Sequence, residues 1–126
     1  MARPLTERTA NAARLDAALP DEIVAALQRL IDTRNSEQRN QGGARVYARD
    51  IHEEAVREML ARVVVGQRIR FLAPTFGRGP RRTFWIDASL KTAIDQLAES
   101  AQVTRTAVIL TALHDFLEAR KLLNAA

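Results

Sequence analysis

The 126-residue chain carries 19 Lys and Arg, 17 of them Arg, against 15 Asp and Glu, for a formal net charge of +4 and a pI of about 10.6. Its 47% hydrophobic content suffices for one ordinary core, which predicts a single domain over 1–126, and the basic balance favours a polyanionic partner. Absence of cysteine excludes disulfide frameworks, thiolate zinc sites and cysteine nucleophiles. No apolar run approaches the roughly 18 residues of a membrane span, and residues 1–15 lack the apolar stretch of a signal peptide, so the chain is read as cytoplasmic with no membrane partner.

The first predicted element is a short strand in which Leu15, Ala17 and Leu19 alternate with Arg14, Asp16 and Ala18. The first set faces a core and the second faces outward. Ile23, Leu27 and Leu30 then have helical spacing. The polar, glycine-ended stretch Thr33–Gly43 predicts an exposed loop, and Val46, Ile51, Ala55, Val56, Met59 and Leu60 predict a second helix. Gly66–Pro80, with Pro74, Gly77, Gly79 and Pro80, reads as a linker, inside which Arg68-Ile-Arg-Phe-Leu72 alternates as a candidate additional strand. A strand with Phe84 and Ile86 inward and Arg81, Thr83 and Trp85 outward follows, then a helix on Leu90, Ile94 and Leu97, and a last helix on Val103, Val108, Ala112, Leu113, Phe116 and Leu117.

These elements form an internal repeat. Leu90, Ile94 and Leu97 stand 67 positions after Ile23, Leu27 and Leu30 (90 − 23, 94 − 27, 97 − 30), and Ile86 and Phe84 stand 67 after Leu19 and Ala17. For the second helices the offset is 57 (103 − 46, 108 − 51, 112 − 55, 116 − 59), so the first copy holds ten additional residues between its helices, supplied by the Thr33–Gly43 stretch. The copies cover 13–65 and 81–123, joined by 66–80.

The run from Arg81 to Phe116 resembles, without a gap, the ribbon-helix-helix DNA-binding unit, and Leu19–Leu27 with Val46–Leu60 resembles it again. The resemblance implies a mainly α fold with a short antiparallel β-ribbon. One strand and two helices cannot bury their apolar faces alone, so two units interlock, here as a tandem pseudo-dimer within one chain. Such a single-chain arrangement is similar in architecture to the accessory proteins that assist T-DNA processing in plant-tumour plasmids. What the resemblance implies functionally is double-stranded DNA binding with the ribbon in the major groove, without enzymatic activity, in transfer of a mobile element or in transcription control. A relaxase, a partition ATPase or another DNA-processing protein is an expected partner. The competing reading is a protein-interaction module, antitoxin-like, with little intrinsic DNA binding; Asp16 and Ala18 on the ribbon favour it.

On that fold, Arg14 and Arg81 each suit a bidentate pair with guanine O6 and N7, Asp16 accepts from cytosine N4, Ala18 touches a thymine methyl, Thr83 offers hydroxyl or methyl, and Trp85 stacks at the ribbon edge. Thr104, as the N-cap of the last helix, and Thr106 and Arg105 beside it are candidate phosphate contacts. Tyr47 holds the matching cap position in the first copy, and Gln102 replaces the glycine usual in the family's turn. Arg68, Arg70, Arg78 and Arg82 are further phosphate candidates, since no acidic residue lies between Gly66 and Pro80. His52 and His114 read as surface or interface histidines, and Asp50, Glu53 and Glu54 as an acidic helix start favoured by the dipole. No metal triad, phosphate-binding glycine loop or nucleophile motif occurs, and no cofactor is expected.

Overall fold

The computed structural model describes residues 12–73 and 79–123. Its elements run β1 (Ala12–Ala18), α1 (Asp21–Gln41), α2 (Ala48–Val64), β2 (Arg81–Asp87), α3 (Ala88–Ala101) and α4 (Arg105–Ala119). The two strands pair antiparallel, with Arg14 opposite Trp85, Asp16 opposite Thr83 and Ala18 opposite Arg81. Among the described residues the protein is therefore mainly helical with a single two-stranded ribbon, and no helix is long and apolar enough to cross a membrane.

Period-two alternation decides which face of the ribbon is buried. Leu15, Ala17, Phe84 and Ile86 lie in the core, while Arg14, Arg81, Thr83 and Trp85 are exposed and Asp16 and Ala18 half-exposed. Beneath the ribbon, each strand packs against the second helix of the other half: β1 against α4, and β2 against α2. The helices complete one continuous core through Ile23, Leu27, Ile51, Met59, Ile94, Leu113 and Phe116. α4 is its centre, burying nine of its residues, Thr111 included.

Thr33–Gly43 is not a loop. α1 continues through it to Gln41 and ends on Gly42 in the left-handed region (φ 70°), where the Gly43 N–H donates to the Gln38 carbonyl at 2.7 Å. Seven of the ten additional residues therefore lengthen α1 relative to α3, by about 10 Å, and the other three lengthen the turn before α2. A polar stretch forms helix here because its first residues are tied to α2 and the turn before it, and its end is capped at Gly42. The Asn35 amide bonds both the N–H (2.6 Å) and the carbonyl (3.0 Å) of Val46, and Arg34 pairs with Glu54 of α2. The exposure expected of this stretch does hold, since most of its side chains face solvent.

Arg68–Leu72 is not a strand either. Ile69, Phe71 and Leu72 pack partly buried along the core while Arg68 and Arg70 point out, so the alternation is real. Among the described residues no strand pairs with it, and the Leu72 N–H donates instead to the Thr111 hydroxyl at 2.8 Å. The route from there into β2 passes Gly79, where a Cβ would run into the Leu19 carbonyl and sit 3.0 Å from Pro20 Cα. Only glycine allows that approach.

Glu53 is the third departure. It is buried (5% exposed), and instead of merely facing the dipole of α2 it holds the β2–α3 junction. It accepts from the Asp87 N–H at 2.7 Å and pairs with Arg49 at 3.0 Å and Arg57 at 3.7 Å. Asp50 does serve the helix start, taking the Tyr47 N–H at 2.8 Å.

Candidate nucleic-acid interface

The outward face of the ribbon presents three side-chain pairs in a row: Arg14 with Trp85, Asp16 with Thr83, and Ala18 with Arg81. Arg14 and Arg81 stand on opposite strands at opposite ends. Trp85, the partner of Arg14, stands four positions after Arg81, so the two guanidinium stems are about 13 Å apart along the ribbon, roughly four base-pair steps. Trp85 is half-exposed (53%), held outward because Phe84 and Ile86 claim the core on either side.

The centre of this face is already knitted together. Thr83 Oγ1 donates to Asp16 Oδ1 at 2.9 Å, and Arg14 Nε reaches the same oxygen at 3.3 Å. The Thr83 bond, and after it Arg14, hold the Asp16 carboxyl below its ordinary carboxylate range. Asp16 thus stays charged and engages the Arg14 guanidinium by its Nε edge.

The phosphate candidates separate into groups. Thr104 is the N-cap of α4, its hydroxyl accepting from the Ala107 N–H at 3.0 Å; Arg105 is exposed beside it and Thr106 is half-buried. Arg105 is engaged by Asp95 of α3 at 2.6 Å, a partner that the helical pattern left unassigned. Arg82 lies on the core side of β2, half-buried, its terminal nitrogen 3.6 Å from the exposed Asp21. Arg68 and Arg70 border a hollow with Arg62, His114, Asp115 and Glu118 along the later turns of α4, a different grouping from the start of that helix where Thr104 lies. Arg78 lies outside the described residues.

Sequence reasoning missed Arg45. It lies ahead of α2 with its guanidinium 5.6 Å from the exposed Tyr47 ring. Tyr47 is the N-cap of α2, 57 positions before Thr104, so each second helix begins beside an exposed arginine, though from opposite sides of the cap. Proximity to an exposed aromatic in a basic chain was the available signal.

Of the histidines, His52 packs edge-on against Phe84 at 4.7 Å, and burial lowers its pKa to about 4. His114 faces Glu118 at 3.4 Å and Asp115 at 3.5 Å. No group of three or more potential metal ligands occurs among the described residues.

Comparison with protein-family models, with curated proteins and with solved structures finds no match. The functional reading rests on the ribbon, its register and its side chains.

Proposed function

We propose that the chain is a tandem ribbon-helix-helix pseudo-dimer that binds double-stranded DNA, laying its ribbon in the major groove as a non-enzymatic accessory factor of DNA transfer or as a transcriptional regulator. One observation carries this reading. The register places Asp16 opposite Thr83, and these residues are also 67 positions apart, the offset that relates the two copies in the sequence. A residue that pairs with its own counterpart lies on a two-fold axis, so repeat and ribbon share one pseudo-dyad. Packing of each strand on the other half's second helix supports the same arrangement.

About that axis Arg14 corresponds to Arg81 and Ala18 to Trp85. The outer arginines are matched and the flanking residues are not. The proposed site therefore has a guanine on each side of its centre, roughly four steps apart, with unlike neighbours, and it is free of strict palindromy. The two second-helix starts, at Tyr47 and Thr104, flank the ribbon as backbone anchors, which contribute affinity and salt dependence without reading sequence.

Fluorescence anisotropy of a duplex pool across a salt series tests this, comparing the native chain with an Arg81→Ala, Thr83→Ala double variant. The expected result is salt-sensitive binding that enriches one non-palindromic sequence and that the double variant weakens about tenfold or more, a bidentate pair being worth about 1–3 kcal/mol. Absence of duplex binding at low salt would sink the proposal and leave the protein-interaction module in its place.

A further inference from the structure

Between α1, the start of α2 and the outset of β2 lies a cleft of about 440 Å³, within the size range of small-molecule sites. Val24, Leu27, Ile31 and Phe84 form its apolar walls, and Arg81, Arg82 and His52 stand among them.

The repeat offsets show how this cleft arises. Gln28 and Ala48 border it, and their counterparts in the second half are Asp95 (28 + 67) and Arg105 (48 + 57). There the ion pair at 2.6 Å spans the equivalent gap; here Ala48 lacks the reach of an arginine and the Gln28 amide donates to Asp32 at 3.0 Å, so the gap stays open. Arg82 corresponds to Leu15 (82 − 67) and His52 to Ile109 (52 + 57), both of which are buried apolar core residues. Two polar groups thus replace apolar ones, and both fall on this cleft.

Arg82 is poorly satisfied where it stands. Among the described residues its Nε is buried without a hydrogen-bond partner, and its terminal nitrogen pairs with Asp21, at 3.6 Å on an almost fully exposed side chain. A pair that exposed contributes little, whereas an orphaned buried donor is costly. An acceptor oxygen would satisfy it.

We infer that this cleft binds a small amphipathic carboxylate, its head group on Arg82 and Arg81 and its apolar body against Leu27, Ile31 and Phe84. A carboxylate matches the fork of a guanidinium bidentately, and the neutral imidazole of His52 adds no like charge against the apolar body. Because Arg81 belongs to both the cleft and the outer ribbon face, the bound acid competes with duplex for it. That consequence alone rests on the DNA-binding reading.

The test uses decanoate as probe, with decanol as tail-only and acetate as head-only control, on the free full-length chain followed by methyl NMR. Decanoate is expected to give saturable shifts at Val24, Leu27 and Ile31, with decanol and acetate at least tenfold weaker. Arg82→Leu, which installs the residue of the other half, is expected to keep the fold and weaken decanoate at least tenfold; Val24→Trp, which fills the mouth of the cleft, is expected to do the same. Equal binding by both variants, shifts scattered over the surface, or no saturable shift at millimolar decanoate would overturn the inference. Anisotropy with duplex is read separately: a chain that takes decanoate and ignores DNA keeps the cleft and loses the proposed function.

Discussion

Thr83 Oγ1 donates a 2.9 Å hydrogen bond to Asp16 Oδ1 across the centre of the ribbon, joining two residues 67 positions apart. This contact puts a carboxylate on the face that would meet DNA and lets it steer Arg14. Asp16→Ala should release both neighbours and remove the only negative charge of the three central pairs. Affinity for scrambled duplex is expected to rise about threefold to tenfold at low salt as repulsion from phosphate disappears, while discrimination at the two central base pairs falls. Anisotropy on selected and scrambled duplexes checks both. Since the carboxyl titrates below its ordinary range, the native protein should show no such change between pH 8 and pH 5.

Asp95 holds Arg105 away from solution partners. If α4 anchors on phosphate, Asp95→Ala should tighten duplex binding and steepen its salt dependence, whereas Arg105→Ala should weaken binding and flatten it, the slope changing by about one counterion in each case. A slope unchanged in both variants would place the start of α4 outside the interface.

Gln102 ends α3 in the left-handed region, φ 58°, with its N–H on the Ala98 and Glu99 carbonyls. A side chain there costs about 1 kcal/mol that glycine avoids. Gln102→Gly is expected to stabilise the fold by about 0.5–1 kcal/mol, read from the urea midpoint at unchanged m-value.

His52 titrates far below its ordinary 6.5, at about 4, because burial against Phe84 penalises the imidazolium; Glu53 opposes this only in part. Between those values the unfolded chain binds a proton that the folded chain refuses. Stability is therefore complete above pH 6.5 and declines as pH falls toward 4, by up to about 3 kcal/mol. His52→Ile, which copies Ile109, should abolish the decline between pH 6.5 and 5 in urea titrations. A native chain equally stable at pH 7 and pH 5 would contradict the burial of this imidazole.

Much of the fold was legible in the chain itself. Alternation in Leu15–Leu19 and Phe84–Ile86 identified the buried face of each strand, because a pleated strand has only two faces and the apolar residues take one. Spacing in Ile23–Leu30 and Leu90–Leu97 located the first helices for the same kind of reason. Thr33–Gly43 misled because it carries no apolar stripe; helix there depends on Asn35 reaching Val46, Arg34 reaching Glu54, and a left-handed Gly42, and two of these three join residues that are neighbours only after folding. Arg68–Leu72 misled in the opposite way, since its alternation is genuine but a strand requires a partner edge.

What the sequence by itself determined is periodic: which residues face inward, that the pattern occurs twice, and that arginines lie outward at matched places on the two strands. Side-chain periodicity is a property of the backbone, so it can be read without neighbours. What only the tertiary structure decided is pairwise: that Asp16 is shared by Thr83 and Arg14, that Asp95 takes Arg105, that Glu53 is buried under the Asp87 N–H, and that Arg82 is left half-buried above an open cleft. Ionic and hydrogen-bond partners act over about 3 Å and carry no period along the chain, so only the folded packing of the elements assigns them.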